Sequence, residues 1–187
     1  MISKHTIDQR VVTALNHWGV HHLALVKFAS NDLVYALIGI TVLWFLVRKM
    51  NSRNPNRNSQ AFLVGFLKDG LLLFVVPVGI AVLTSELISQ IYVRERPFVA
   101  MSGVKLLVPH GVDGGMPSHH VVFMVAVAVM VYSVDRKMGY ILLLVTLISG
   151  IARVSAGIHY PSDILAGAIL GWIIPTIYLR VVKLKLF

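Results

Sequence analysis

Three short stretches of the chain carry the residue types that phosphoryl chemistry needs. The last of them holds Arg153, His159 and Asp163 at the junction of two apolar segments. Pro161 and Ser162 suit the opening of a helix, and Asp163 then falls four residues after His159, on the same side of the chain. A carboxylate bonded to one ring nitrogen fixes the tautomer and leaves the other nitrogen free as nucleophile or base. The plainer alternative is a capped helix start with its His at headgroup level. The middle stretch, Pro117-Ser118-His119-His120, sets a hydroxyl and unpaired backbone donors at another helix start, where a phosphate is a natural occupant, although simple capping explains a Pro-Ser pair equally. Gly114 and Gly115 just before it let the backbone approach a ligand closely. His120 stands where it can hand a proton to a leaving group, and His119 where it offers its backbone N–H. The first stretch is Arg96-Pro97. Arg96 and Arg153 can each grip phosphate oxygens through paired guanidinium donors, whereas Arg94 and Lys105 read as side chains snorkelling to headgroups.

These stretches need a scaffold, and composition says which kind. The 187 residues are 57% hydrophobic and 13% charged, with a mean hydropathy of +0.78. That balance excludes a soluble globule, a disordered chain, a collagen and a coiled coil, and the absence of Cys excludes a disulfide scaffold. The reading is an all-α integral membrane protein, a single embedded domain over residues 1–187 built as a bundle of five to six transmembrane helices. Apolar runs place spans at 33–47 with the residues before it, 61–93, 118–134, 138–157 and 162–182. The second is long enough to be one tilted helix that starts along the surface near Lys68 and Asp69 and kinks at Pro77. Residues 1–22 show no cleavable targeting sequence. Within them Ile7, Val11, Val12, Leu15 and Trp18 share a helical face, which fits an amphipathic helix on the membrane surface, with a frayed terminus as the alternative. The connection 94–117 is the long one, and its mixture of Arg, His, Pro and Gly marks it as functional.

The formal charge of +9 is a topology signal before it is anything else, and no nucleic-acid partner is inferred from it. Arg48, Lys49, Arg53, Arg57, Arg136, Lys137, Arg180, Lys183 and Lys185 fall on one side. Lys4, Arg10, Lys27, Arg94, Arg96, Lys105 and Arg153 fall on the other. The first group is placed in the cytoplasm, so the loop 94–117 faces outward. Glu86, an ionisable residue inside a span, needs a partner: an arginine near the active face, or equally a plain interhelical hydrogen bond.

Arg96-Pro97, then Pro117-Ser118-His119-His120, then Arg153 with His159 and Asp163, resembles the three-part signature of the type 2 phosphatidic acid phosphatase superfamily, whose middle motif is P-S-x-H and whose last is R-x-x-x-x-x-H-x-x-x-D. The likeness covers roughly residues 60 to 180. Within the superfamily, Arg96 to Ala100, Pro109-His110, Asp113 and Pro117-Ser118 resemble the bacitracin-resistance type of bacterial undecaprenyl-diphosphate phosphatase. One position departs: the family's first motif begins with Lys seven residues before the Arg, and here that place is Ser89, with Arg94 or Lys105 as candidate substitutes. The resemblance implies a phosphohistidine mechanism in which His159 attacks phosphorus, Asp163 holds His159, and His120 protonates the leaving oxygen. Arg96, Arg153, Ser118 and the His119 backbone would hold the phosphoryl oxygens. It implies neither cofactor nor metal, a polyprenyl diphosphate as substrate among the membrane lipids, and an inner-membrane location with the site facing the exterior; oligomeric state is left open. Phosphatidylglycerophosphate, phosphatidic acid or a lipid A phosphate are the alternative substrates. A non-enzymatic lipid-binding or transport protein is the alternative of another class.

Overall fold

The computed structural model describes residues 6–51 and 59–182. Every regular element among them is helical. Lys4, Arg53, Arg57, Lys183 and Lys185 of the charge pattern lie outside the described residues.

The organising element is α7 (His119–Val134), buried from Val121 to Val131 with few gaps. Its sequence HHVVFMVAVAVMVYSV is apolar all round, the pattern of a helix with neighbours on every side. Those neighbours are α3 (Leu33–Asn51), α5 (Val76–Ile91), α8 (Arg136–Ser155) and α9 (Pro161–Val182). A central core of Leu37, Val78, Ala81, Val122, Ala126 and Leu142 joins four of these five helices. The fifth, α9, packs on α7 through glycines. A β-carbon on Gly171 would lie 2.6 Å from the Val122 carbonyl oxygen, and one on Gly167 would lie 2.9 Å from that of Ser118. Only hydrogen at both positions lets the two backbones come this close.

Four helical stretches are long and apolar enough to cross a membrane: Leu23–Asn51, Leu63–Ile91, Arg136–Ser155 and Pro161–Val182; α7, with 16 residues, is shorter. The sequence places five spans at these positions. The first takes in the residues before Leu33 as expected and begins at Leu23, because α2 (Leu23–Lys27), a π-helical turn over Phe28–Asp32 and α3 run on without a break. The second carries Lys68 and Asp69 in the helix α4 (Ser59–Gly70) that leads into it, and Asp69 is paired with Lys49 of α3. A π turn over Leu71–Val75 leads into α5, and the Val76 N–H donates to the Leu71 carbonyl just before Pro77. The wider turn absorbs the backbone donor that Pro77 lacks.

At the N-terminus α1 (Ile7–His21) starts with a capping box between Thr6 and Gln9. Its outward stripe carries Ile7, Val11 and Trp18, all exposed, as an interfacial helix requires. Its inward face is more than a surface contact. Val12, Asn16 and Gly19 are buried, and Asn16 Nδ2 donates to the carbonyls of Ser155 (2.9 Å) and Lys105 (2.8 Å) while its Oδ1 accepts from the Lys105 N–H (2.8 Å). Helix α1 is thereby fastened to the end of α8 and to the 94–117 connection, whose one regular piece is α6 (Pro97–Ala100).

Candidate active site

His159 lies in the tight link between α8 and α9, a segment turned by Gly157 at φ +78°. A β-carbon there would stand 2.7 Å from the Lys105 carbonyl oxygen, so both the conformation and the space call for glycine. The imidazole is 2% exposed. Its Nδ1 lies 2.8 Å from the Gly115 carbonyl oxygen, which can only accept, so the proton is on Nδ1 and Nε2 carries the free lone pair. Toward that lone pair point two guanidinium groups: Arg96 Nη1 at 3.4 Å and Arg153 Nη2 at 3.3 Å. Burial pushes the His159 pKa well below the ordinary histidine value, and the neighbouring charges of Arg153 and Arg96 push it the same way. The ring is therefore neutral, with an unprotonated nitrogen facing two cations.

Each arginine is held by main-chain oxygens. Arg153 is buried, and its Nη1 donates to the Ser30 carbonyl at 3.2 Å, on the π turn of the first span. Arg96 Nη1 donates to the Ile158 carbonyl at 2.9 Å, and its Nε and Nη2 reach Asp113 Oδ1 at 3.2 and 3.0 Å. Fixed in this way, the donors that remain converge on one point, as bidentate phosphate recognition requires.

The two arginines and His159 line a cavity of about 230 Å³ together with His110, Asp113, Gly114, Pro117, His119 and His120. The first, second and third sequence stretches thus meet at one place. Ser118 precedes α7 without making a side-chain cap, and its buried hydroxyl has no partner among the described residues. The helix start keeps its hydroxyl unclaimed although one amide, the Ser118 N–H, is taken by the Asp163 carbonyl; the missing side-chain cap is what the anion reading needs and the capping reading does not supply. Arg153 Nε and His119 Nε2 are buried and likewise unpartnered among the described residues. His119 contributes more than a backbone N–H, since its ring lines the cavity and its Nδ1 is 3.6 Å from Glu86 Oε2. Glu86 is thus near this histidine rather than an arginine, and the hydrogen bond it accepts comes from Gln90 Nε2 on its own helix, at 3.0 Å.

Asp163 is placed differently from the sequence expectation. Its Oδ2 is 3.6 Å from His159 Nδ1, beyond hydrogen-bond reach, and accepts instead from the Tyr160 N–H at 2.7 Å. The atom that orients the ring directly is the Gly115 carbonyl oxygen. Asp163 acts one step back: it closes the 159–163 turn at the start of α9, and the Ser118 N–H donates to its main-chain carbonyl at 3.2 Å. A main-chain acceptor has no sequence signature, which is why the carboxylate was the natural candidate.

None of the three auxiliary candidates lines the cavity. Ser89 is buried in α5 with its hydroxyl donating to the Glu86 carbonyl at 2.8 Å. Lys105 is tied to Asn16 through its main chain and its side chain is exposed. Arg94 turns away from the cavity to Asp163 Oδ1 at 2.6 Å, Asp8 Oδ2 at 3.0 Å and the Ser162 hydroxyl at 2.7 Å. The cavity has His110 instead, with Nε2 3.4 Å from Arg153 Nη2. Burial, then Arg96 and Arg153, lower the His110 pKa, so it adds polarity rather than a third positive charge.

This fold and this site define a multi-pass, all-helical membrane protein with a neutral, oriented imidazole set against paired arginines at one end of its bundle. The chain belongs to the PAP2 superfamily, whose family model matches residues 70–186. Among curated proteins, Bacillus subtilis (strain 168) undecaprenyl-diphosphatase BcrC is 36% identical over 103 residues, 54% of this chain and 53% of that protein. The Bacillus licheniformis bacitracin transport permease protein BcrC is 27% identical over 148 residues, 79% of this chain and 65% of the relative. The chain thus spans between about half and two-thirds of the length of these relatives. Two crystal structures share the fold. Aquifex aeolicus LpxE superposes with a TM-score of 0.69 at 18% identity, covering 96% of this chain and 99% of the other. The PAP2-type phosphatidylglycerolphosphate phosphatase of Bacillus subtilis does so at 0.54 and 23%, covering 96% and 94%.

Proposed function

We propose that this protein is a lipid-phosphate phosphatase that hydrolyses undecaprenyl diphosphate to undecaprenyl phosphate and inorganic phosphate through a phosphohistidine intermediate. The observation that carries the reading is the convergence of Arg96 and Arg153 on the free Nε2 of His159. In the first step His159 Nε2 bonds to the terminal phosphorus as the bond to the bridging oxygen breaks, and His120 gives a proton to that leaving oxygen. In the second, His120 takes a proton from water, the resulting hydroxide displaces His159 from phosphorus, and phosphate leaves. Arg96, Arg153, the Ser118 hydroxyl and the backbone amides at the start of α7 hold the equatorial oxygens, where charge accumulates.

The named relatives favour a polyprenyl diphosphate, since BcrC of Bacillus subtilis is an undecaprenyl-diphosphatase and so is a protein from Sulfolobus acidocaldarius that is 32% identical over 101 residues. The surface of the bundle supports the same choice. Between α3 and α5, backed by Phe123 and Val127 of α7, runs an apolar groove of about 680 Å³, and a long hydrocarbon tail suits it. Regenerating the monophosphate would return a carrier lipid to service in cell-wall synthesis at the inner membrane, and rapid turnover of the diphosphate would resist bacitracin. Phosphate release by the purified protein from undecaprenyl diphosphate, phosphatidylglycerophosphate, phosphatidic acid and lipid A tests the substrate. His159→Ala tests the chemistry: we expect it to abolish turnover while leaving lipid binding in place. Retained turnover in that variant would remove His159 as nucleophile, and no activity on polyprenyl diphosphates would remove the substrate.

A further inference from the structure

The N-terminal helix lies wholly outside the stretch matched by the family model, yet it reaches the back of the site through one side chain. Asp8, in the first turn of α1, accepts from Arg94 Nη2 at 3.0 Å, from the Ser162 N–H at 3.2 Å and from the Ser162 hydroxyl. The same guanidinium donates through Nη1 to Asp163 Oδ1 at 2.6 Å and lies with its central carbon 4.0 Å from the centre of the Tyr160 ring. Arg94 is therefore clasped between two carboxylates and an aromatic face. Asp163 in turn bonds the Tyr160 N–H, and Tyr160 is the residue next to His159.

We propose that Asp8 is a positioning residue for phosphoryl transfer, acting through Arg94 to hold Asp163 and the Tyr160 backbone where the His159 ring meets the Gly115 carbonyl and the two arginines. The proposal rests on the lipid-phosphatase reading of the same site. Three features separate it from a general fastening of α1. Fastening is already provided by Asn16 at the other end of the inward face, with three hydrogen bonds to Lys105 and Ser155. Asp8 is committed as a charge: the hydrogen bonds from Ser162 and Arg94 outweigh the burial that would raise it, and hold its carboxyl below the usual range. Arg94 does not line the cavity and its guanidinium is bonded to Asp8, Asp163 and Ser162, so its charge serves the carboxylates and not the substrate. Where the resemblance would put a lysine there is Ser89, and the nearby Arg94 is spent behind the nucleophile rather than in front of it.

The test is steady-state phosphate release from undecaprenyl diphosphate by the full-length protein in lipid nanodiscs, with thermal unfolding followed in parallel. Asp8→Asn should lower kcat on the order of tenfold to a hundredfold, the scale of a misplaced reacting group. KM should stay within about twofold, because no phosphate contact is lost. Asp8→Glu should recover most of the rate. The double variant D8N/R94M should be no slower than R94M alone, since both act through one chain of contacts. Unchanged kcat in D8N, or losses in D8N and R94M that multiply, would overturn the proposal. Should D8N lose its unfolding transition, R94K decides: it keeps the charge but cannot clasp two carboxylates, and full kcat in a folded R94K would equally overturn it. A wild-type protein that released phosphate from no lipid would overturn the functional reading and this proposal with it; an active wild type matched by D8N would overturn the role of Asp8 alone.

Discussion

His159 and His110 are both held neutral by burial beside Arg96 and Arg153, and this has a consequence for stability. Released into an unfolded chain, each imidazole would take up a proton near pH 6.5; in the native site each resists it. Below that pH the unfolded state binds more protons than the native one, so stability is complete above about pH 6.5 and declines as the pH falls further. Asp8 adds nothing in this window, because its lowered pKa moves its contribution to more acid pH. The thermal midpoint should be level from pH 7.5 to about pH 6.5 and fall from there to pH 5.5, and His159→Gln should reduce that fall; a wild-type midpoint level across the whole range would count against the two rings being held neutral. At this scale the residues of the site were largely legible, since His159, His120, Arg96 and Arg153 announce themselves by type and spacing. What the sequence hid was the partner atoms. The carbonyl oxygens of Gly115, Ile158 and Ser30 belong to positions whose side chains say nothing about hydrogen bonding, and Asp8 lies 86 residues from the arginine it binds.

The elements hold these residues in register by close backbone contact more than by side-chain interlocking. Gly167 and Gly171 lie one turn apart on the face of α9 that meets α7, and the first of them rests on the Ser118 carbonyl at the mouth of the site. Adding two methyl groups beyond a β-carbon at 171 would drive α9 from α7, and overpacking of this kind costs about 1 to 3 kcal/mol. Gly171→Val should lower the thermal midpoint by several degrees. It should also depress kcat more than KM, because His120 rides on α7 and His159 leads into α9. A variant with native midpoint and native rate would show the crossing to be slack. The spacing of small residues in AGAILGW was the available signal for this contact, and it is easily passed over inside an otherwise uniform apolar run. The π turns at Phe28–Asp32 and Leu71–Val75 had no such signal. A π turn depends on which carbonyl is needed elsewhere, as Ser30 is by Arg153, and that need arises only when the helices are packed. The spans themselves were readable because lipid demands long apolar helices, and the first could be carried back through polar residues such as Asn31 and Asp32 because 33–47 alone is too short to cross.

For the molecule as a whole, the two ends of the bundle differ in kind. At one end Arg48 and Asp135 lie 4.0 Å apart, Lys49 pairs with Asp69, and Arg136 and Lys137 are exposed at the short α7–α8 turn. At the other, three of the seven basic residues are committed to the site or to its carboxylates, which leaves Lys4, Arg10, Lys27 and Lys105 to count as topology signals. With those three set aside, the difference in charge between the ends is larger than the bare nine against seven, and it supports a cytoplasmic location for the α7–α8 turn. The 16 residues of α7 span about 24 Å, short of the roughly 30 Å of hydrocarbon, so a helix with its Asp135 end at one boundary would end a few ångströms inside the opposite one. Because the chain has no native cysteine, this orientation can be tested with single replacements. Val112→Cys, at an exposed position of the 94–117 connection, should react in intact cells with a membrane-impermeant maleimide, whereas Lys137→Cys should react only after the membrane is opened. The reverse pattern would turn the bundle over and put the site on the cytoplasmic leaflet.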